Sequence, residues 1–228
     1  MRDLVNNEWY HVYNRGVEKR RIFLDNEDYA RFLFHLYECN NFVTLPDTAF
    51  KKRIKEVNFS SDNRDRLVDV AAFTLMPNHF HILVRSIKDG SISDFMQRIS
   101  VAYTKGFNKK YQRVGALFQG PYKVKLADKG AHLQHVLVYI LTNALNLYKS
   151  DWKERGIDNI KEAKRFLENY KYSSYRSAMG GKDAFNFVTD RGSLSDIMES
   201  YKDLEILIND ILGGELSDID LALFGNKL

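Results

Sequence analysis

The sequence predicts an α+β fold in which helices pack on an antiparallel sheet, with a tail of smaller helices from about residue 150. Three observations lead there. Segments 9–13, 67–76 and 79–85 alternate aromatic and β-branched residues with others and end at turn residues. Segments after residues 25, 93 and 129 instead repeat apolar residues every three or four positions. The resulting order is strand, helix, two strands, helix, strand, helix, a pattern of helices laid over an antiparallel sheet.

The first strand covers 9–13 and meets a turn at Asn14-Arg15-Gly16. Asp25 is placed to cap a helix that carries Tyr29, Phe32, Leu33 and Leu36 on one face. Residues 43–66 are polar and weakly periodic, and are expected to form an insertion. The strand 67–76 closes at Pro77-Asn78, a turn dipeptide, and 79–85 returns beside it as a hairpin. Ser93 or Asp94 is expected to cap a helix running to about residue 110, with Phe95, Ile99, Ala102 and Tyr103 inward. Residues 117–126 read as extended and 129–148 as one helix. Beyond Trp152 the chain is mainly helical, broken at Gly180-Gly181. The expected organisation is a body over 1–150 and an accessory region over 151–228.

Hydrophobic residues make up 44% and charged residues 28%, the composition of a globular chain with a core. No apolar run reaches the length needed to span a bilayer, so no membrane partner is expected. The first ten residues hold no apolar stretch of the kind a secretory signal needs, and a cytoplasmic location is expected. Cys39 is the single cysteine, which excludes a disulfide framework and a multi-cysteine metal site. The net charge of +4 is unevenly spread: residues 190–228 hold 9 acids and 3 bases, leaving the rest at +10. A basic body with an acidic end points to a polyanionic partner.

Two motifs carry chemistry. His79 and His81 are two apart on a strand, so both imidazoles face one side while Phe80 faces the other. That is how a sheet presents two ligands to one metal ion, although a structural pair has the same pattern. On the 129–148 helix, a polar line of His132, His135, Tyr139, Asn143 and Asn146 runs beside the apolar stripe. Tyr139 and Asn143 sit one turn apart, and gain meaning if the histidines lie opposite. A third feature is the absence of any acid from Phe95 to Ala127, where seven bases alternate with aromatic residues. Cations track phosphates and flat rings stack on bases, so this pattern reads as nucleic-acid contact. With the basic cluster after the first strand, we assign DNA contact to Arg15, Arg20, Arg21, Lys105, Lys109, Lys110, Arg113, Gln119 and Lys123.

Four blocks then fall in order: Tyr10-His11-Val12-Tyr13-Asn14-Arg15-Gly16, Leu75-Met76-Pro77-Asn78-His79-Phe80-His81-Ile82-Leu83-Val84, Gly115-Ala116-Leu117-Phe118-Gln119-Gly120 and Tyr139-Ile140-Leu141-Thr142-Asn143. Together they resemble the single-tyrosine HUH transposases, particularly the REP-associated branch. The resemblance covers about residues 8–150, and Tyr172-Ser173-Ser174-Tyr175 is similar to a segment that follows in that branch. It implies a ferredoxin-like sheet with the two histidines on a central strand. It further implies His79, His81 and Asn143 as ligands of Mg²⁺ or Mn²⁺, and Tyr139 as the nucleophile. The substrate it implies is single-stranded or hairpin DNA of REP-like palindromes, nicked and rejoined through a 5′-phosphotyrosine by a monomer or homodimer. Two departures stand out. Family members commonly read Asn-Pro-Val-Arg-Ala-Gly where this chain has Asn143-Ala144-Leu145-Asn146-Leu147-Tyr148, and the basic residue often found after Gln-Gly is Pro121.

The chemistry is sound on the residues alone. A divalent ion held by two imidazoles and an amide oxygen leaves positions open for phosphate oxygens, and a phenol can attack phosphorus and keep the DNA end as an ester. Mixed nitrogen and oxygen donors suit Mn²⁺ somewhat better than Mg²⁺. Two other readings stay open: a domesticated relative that binds hairpin DNA or RNA without cutting, and a small metallohydrolase in which Tyr139 only packs. The lost basic positions favour the first. The lack of a suitably spaced carboxylate argues against the second.

Overall fold

The computed structural model describes residues 4–43, 54 and 64–214. Most of the expected 43–66 insertion lies outside the described residues. Four strands form one antiparallel sheet: β1 (Trp9–Arg15), β2 (Val68–Met76), β3 (His79–Ser86) and β4 (Lys123–Leu126), in the order β2-β3-β1-β4. With α1 (Asn26–Glu38) between β1 and β2 and α2 (Ser91–Lys110) between β3 and β4, this is the ferredoxin-like arrangement, and β3 is central. Among the described residues no helix is long and apolar enough to cross a membrane.

The strand period divides the core in two. Val12, Phe80, Ile82 and Val84 point to one face, where they meet Phe32, Leu33 and Leu36 of α1 and Phe95, Ile99 and Tyr103 of α2. Trp9, Ala72 and Leu83 point to the other, where α3 (Ala131–Thr142) lies across the sheet with Leu137, Ile140 and Leu141 inward. Asp25 caps α1 as expected, its carboxylate accepting from the Asp28 amide at 3.0 Å.

Three boundaries differ from the sequence reading. Helix α2 starts at Ser91, after Gly90 turns the chain at φ 75°, and its first turn buries Ile92 in the core and Ser91 against the Ser86 hydroxyl at 3.1 Å. Extended structure over 117–126 shrinks to β4; Phe118 makes a single bridge to Gly16, and Pro121, which has no amide hydrogen, stands between. The helix expected over 129–148 stops at Thr142 and tightens into a 3-10 turn over Asn143–Leu147. There the Thr142 hydroxyl donates back to the Val138 carbonyl at 2.8 Å, a bond that competes with the α-helical ladder.

Five short helices follow: α4 (Trp152–Arg155), α5 (Ile160–Asn169), α6 (Tyr175–Ala178), α7 (Arg191–Ser195) and α8 (Tyr201–Gly213). They extend the α3 layer, since Trp152, Leu167, Tyr175, Leu204 and Ile208 join the cluster of Ala72, Leu137 and Leu141. They also cover the outer edge of β2. The Leu75 amide donates to the Tyr172 carbonyl at 2.9 Å, the Ser174 amide to Phe73 at 3.0 Å, and the Asp190 amide to Val70 at 2.8 Å.

Candidate active site

The face of the sheet under α3 carries more than apolar residues. On β3, His79 and His81 project there with Leu83; on β1, His11, Tyr13 and Arg15 do so beside them. Register pairs Arg15 with His79 and Tyr13 with His81. Helix α3 and the turn after it bring Tyr139 and Asn143 over these rings. The His79 and His81 ring centroids are 5.1 Å apart, and Tyr139 stands edge-on to His81 at 5.5 Å and to His11 at 5.7 Å. The Asn143 side chain, 1% exposed, hydrogen-bonds to both His79 and Tyr139. The two motifs thus face each other across the layer.

Burial governs the charges. It lowers the pKa of His79 to about 4, aided by the Lys153 and Arg15 charges and opposed by the Asn143 hydrogen bond. Burial and Lys125 lower His11 to about 3, and His81 is held well below the ordinary value by burial and by its neighbours His11, His79 and Lys153. Burial raises Tyr139 to about 12 against the Asn143 hydrogen bond. Lys153, on α4, brings its ammonium 4.8 Å from the Tyr139 ring centroid, and burial lowers it to about 8. At neutral pH the site therefore holds three uncharged imidazoles and a phenol.

The donor set fits a divalent ion. His81 Nε2 is fully buried with no hydrogen-bond partner among the described residues, and a neutral imidazole lone pair in that position is what a metal ligand requires. Among the described residues no three His, Cys, Asp or Glu side chains cluster as a metal site. The third donor would be Asn143, an amide oxygen.

These buried rings make stability depend on pH. Once unfolded, the three imidazoles return to about 6.5 and take up protons that the folded chain refuses. Stability is then present above about pH 6.5 and is lost progressively as pH falls below it toward the folded values of His79, about 4, and His11, about 3, with His81 acting in the same direction. Denaturant unfolding in chelator should show this loss between pH 7 and pH 5, and His11→Phe should make it shallower. A free energy flat across that range would mean that the rings take up protons in the fold as readily as in the unfolded chain.

The expected DNA-contact residues separate into groups. Arg15, whose guanidinium bonds the Gln119 side chain, flanks His79 on the histidine face. Exposed Lys123 is paired with Tyr13 in register, its ammonium 5.9 Å from that ring. Arg20 and Arg21 are exposed just past the Gly16 turn, where a Cβ would collide with the Arg20 carbonyl oxygen. Arg113 is tied to Asn108 at 2.6 Å. Lys105 and Lys109 are exposed on α2, on the opposite layer from the histidines. Lys110 is occupied, bonding Asp25 at 2.7 Å and buried Asp28 at 2.9 Å. His11, Asn78 and Lys153 were not among the expected site residues. Strand alternation does place His11 on one face with Tyr13, but nothing in the sequence marks Lys153 among the other tail lysines.

Residues 39–143 match the family model described as IS200-like transposase. Over that stretch, the chain matches the IS200-like transposases. They are DNA-binding recombination enzymes, and they generally use a divalent metal. The matched stretch holds β2, β3, α2, β4 and α3, and with them His79, His81, Tyr139 and Asn143. A solved structure of a REP-associated tyrosine transposase bound to a REP hairpin is similar at 13% identity and a TM-score of 0.47, over 79% of this chain and 84% of that one. Among curated proteins none matches.

Proposed function

We propose that this chain nicks and rejoins single-stranded DNA at hairpin sites through a covalent 5′-phosphotyrosine at Tyr139. The observation that carries this reading is the convergence of His79, His81, Tyr139 and Asn143 on one buried centre. The IS200-like match supports the reaction class, and the motif resemblance supports the hairpin substrate.

In the nicking step the Tyr139 oxygen attacks phosphorus and the bond to the 3′ oxygen breaks. That oxygen leaves as a hydroxyl, taking up a proton, and the 5′ end stays on tyrosine as an ester. Rejoining is the reverse, with a 3′ hydroxyl attacking and the phenol leaving, so no nucleotide cofactor is consumed. With its pKa at about 12, ionising Tyr139 beforehand at pH 7 costs about 7 kcal/mol. That cost already includes the Asn143 hydrogen bond to the oxygen, which holds it down, and the Lys153 ammonium stands 4.8 Å from the ring centroid. When bound, a divalent ion such as Mn²⁺ or Mg²⁺ supplies Lewis-acid polarisation of the phosphate. His79 and His81 would hold it through neutral nitrogens, with Asn143 as the oxygen donor.

Incubation with 5′- or 3′-labelled hairpin DNA and Mn²⁺, followed by denaturing electrophoresis, tests the reading. The expected product is a protein band carrying the 3′ label, joined through the 5′ phosphate at the nick, while the 5′ label leaves on a shorter free strand ending in a 3′ hydroxyl. Binding without that band would support the domesticated, non-cleaving alternative, and cleavage without it would support a water-using hydrolase.

The placement of the bases predicts a track for the DNA along the histidine face. Arg15→Ala with Lys123→Ala should weaken hairpin binding about tenfold or more and reduce the salt slope by roughly 1.4. Lys105→Ala with Lys109→Ala should do less. A larger loss from the α2 pair, in fluorescence anisotropy across a salt series, would put the track on the opposite layer.

A further inference from the structure

The structure contains a proton arrangement at the histidine pair that the nicking chemistry does not by itself require. His11 Nε2 lies 2.7 Å from His81 Nδ1, and the two rings stack at 27° with centroids 5.0 Å apart. One proton occupies that bond. Were it supplied by His11, neutral His81 would carry its own proton on Nε2. That atom is fully buried and meets no acceptor among the described residues. If His81 donates from Nδ1 instead, its Nε2 keeps the lone pair, and the His11 proton moves to Nδ1, which is not one of the buried atoms left without a partner.

His79 repeats the pattern with a different partner. Its Nδ1 is 2.7 Å from Asn78 Oδ1, and an amide oxygen can only accept, so the proton sits on His79 Nδ1. The Asn78 amide nitrogen in turn donates to the Lys19 carbonyl at 3.3 Å, which fixes which end of the amide faces the ring. Both histidines then present Nε2 unprotonated. In water a neutral histidine favours the proton on Nε2, so this state has to be imposed by the neighbours.

We infer that His11 is a positioning residue: it holds buried His81 as the Nδ1–H tautomer and so keeps Nε2 ready as a metal ligand, as Asn78 does for His79. This rests on the reading of the site as a metal-dependent nicking centre. Outer hydrogen bonds of this kind orient the ligand ring and raise its basicity, and their loss typically costs 10- to 100-fold in metal affinity.

Long-range ¹H–¹⁵N NMR of histidine-labelled protein in chelator reads the tautomer with no metal present. Wild type should show His81 protonated at Nδ1. His11→Phe, which keeps a ring but has no acceptor, should show proton on Nε2 and weaken Mn²⁺ binding, measured by EPR of free Mn²⁺, about 10- to 100-fold. His11→Gln, whose amide oxygen can accept, should stay within a few-fold of wild type and serves as the test if His11→Phe does not fold. Nε2–H in wild-type His81 would overturn the inference, as would equal loss of Mn²⁺ affinity in folded His11→Gln and His11→Phe. Wild-type protein that binds no Mn²⁺ and forms no DNA adduct would instead overturn the nicking reading, which the metal-free tautomer does not depend on.

Discussion

Tyr139→Phe should retain hairpin binding and lose the covalent protein–DNA band, with adduct formation down at least about 10³-fold. The substitution removes one oxygen and leaves the ring between His11, His81 and Lys153. Its cost in stability is that of the hydrogen bond to Asn143, about 1 kcal/mol, so the variant should melt within a few degrees of wild type. Tyr13 is a second phenol at the site, 5.9 Å from His81 between ring centroids, but it lies on β1 beside the histidines rather than over them on α3. A covalent band of undiminished intensity in folded Tyr139→Phe would remove Tyr139 as the nucleophile.

The second large effect is on the histidines. His79→Ala should lower adduct formation about 10²–10³-fold at fixed Mn²⁺, and excess Mn²⁺ should recover part of it, because a lost ligand weakens binding without removing the nucleophile. His81→Ala should be more severe and beyond rescue. It deletes a fully buried ring and leaves His11 Nε2 unpaired, a further cost of about 1–3 kcal/mol to the fold. Titrating Mn²⁺ against adduct yield, with melting temperature measured in parallel, separates the two. Full activity of His79→Ala at low Mn²⁺ would exclude it as a ligand.

What the sequence disclosed was whatever depends on local period. The spacing of two puts His79 and His81 on one face, the spacing of four stacks Tyr139 and Asn143, and Asp25 marks a helix start. What it withheld depends on pairing between distant segments. No local signal sets the register that puts His11 beside His81, 70 positions away, or brings Lys153 from the tail to Tyr139. The same limit applies to the cations. Lys110 reads like Lys105 and Lys109 along the chain, yet Asp25 and Asp28 on another helix neutralise it. The acid-free run from Phe95 to Ala127 looks like one surface and is divided by the sheet, with the α2 lysines on one layer and Lys123 on the other face.

The hydrogen bonds from residues 172–174 and 190 to β2 also have a consequence during synthesis. The hairpin that carries both histidines is finished at residue 86, while the segment that closes its outer edge leaves the ribosome about a hundred residues later. At roughly 5–20 residues per second, that edge stays open for about 5–20 s in each nascent chain. An open edge of Val, Phe and Leu can pair with the same strand on a neighbouring ribosome of a polysome. Slow translation over 87–174, or an early stop before Tyr172, should therefore yield aggregated chains built through β2 rather than a shorter working protein.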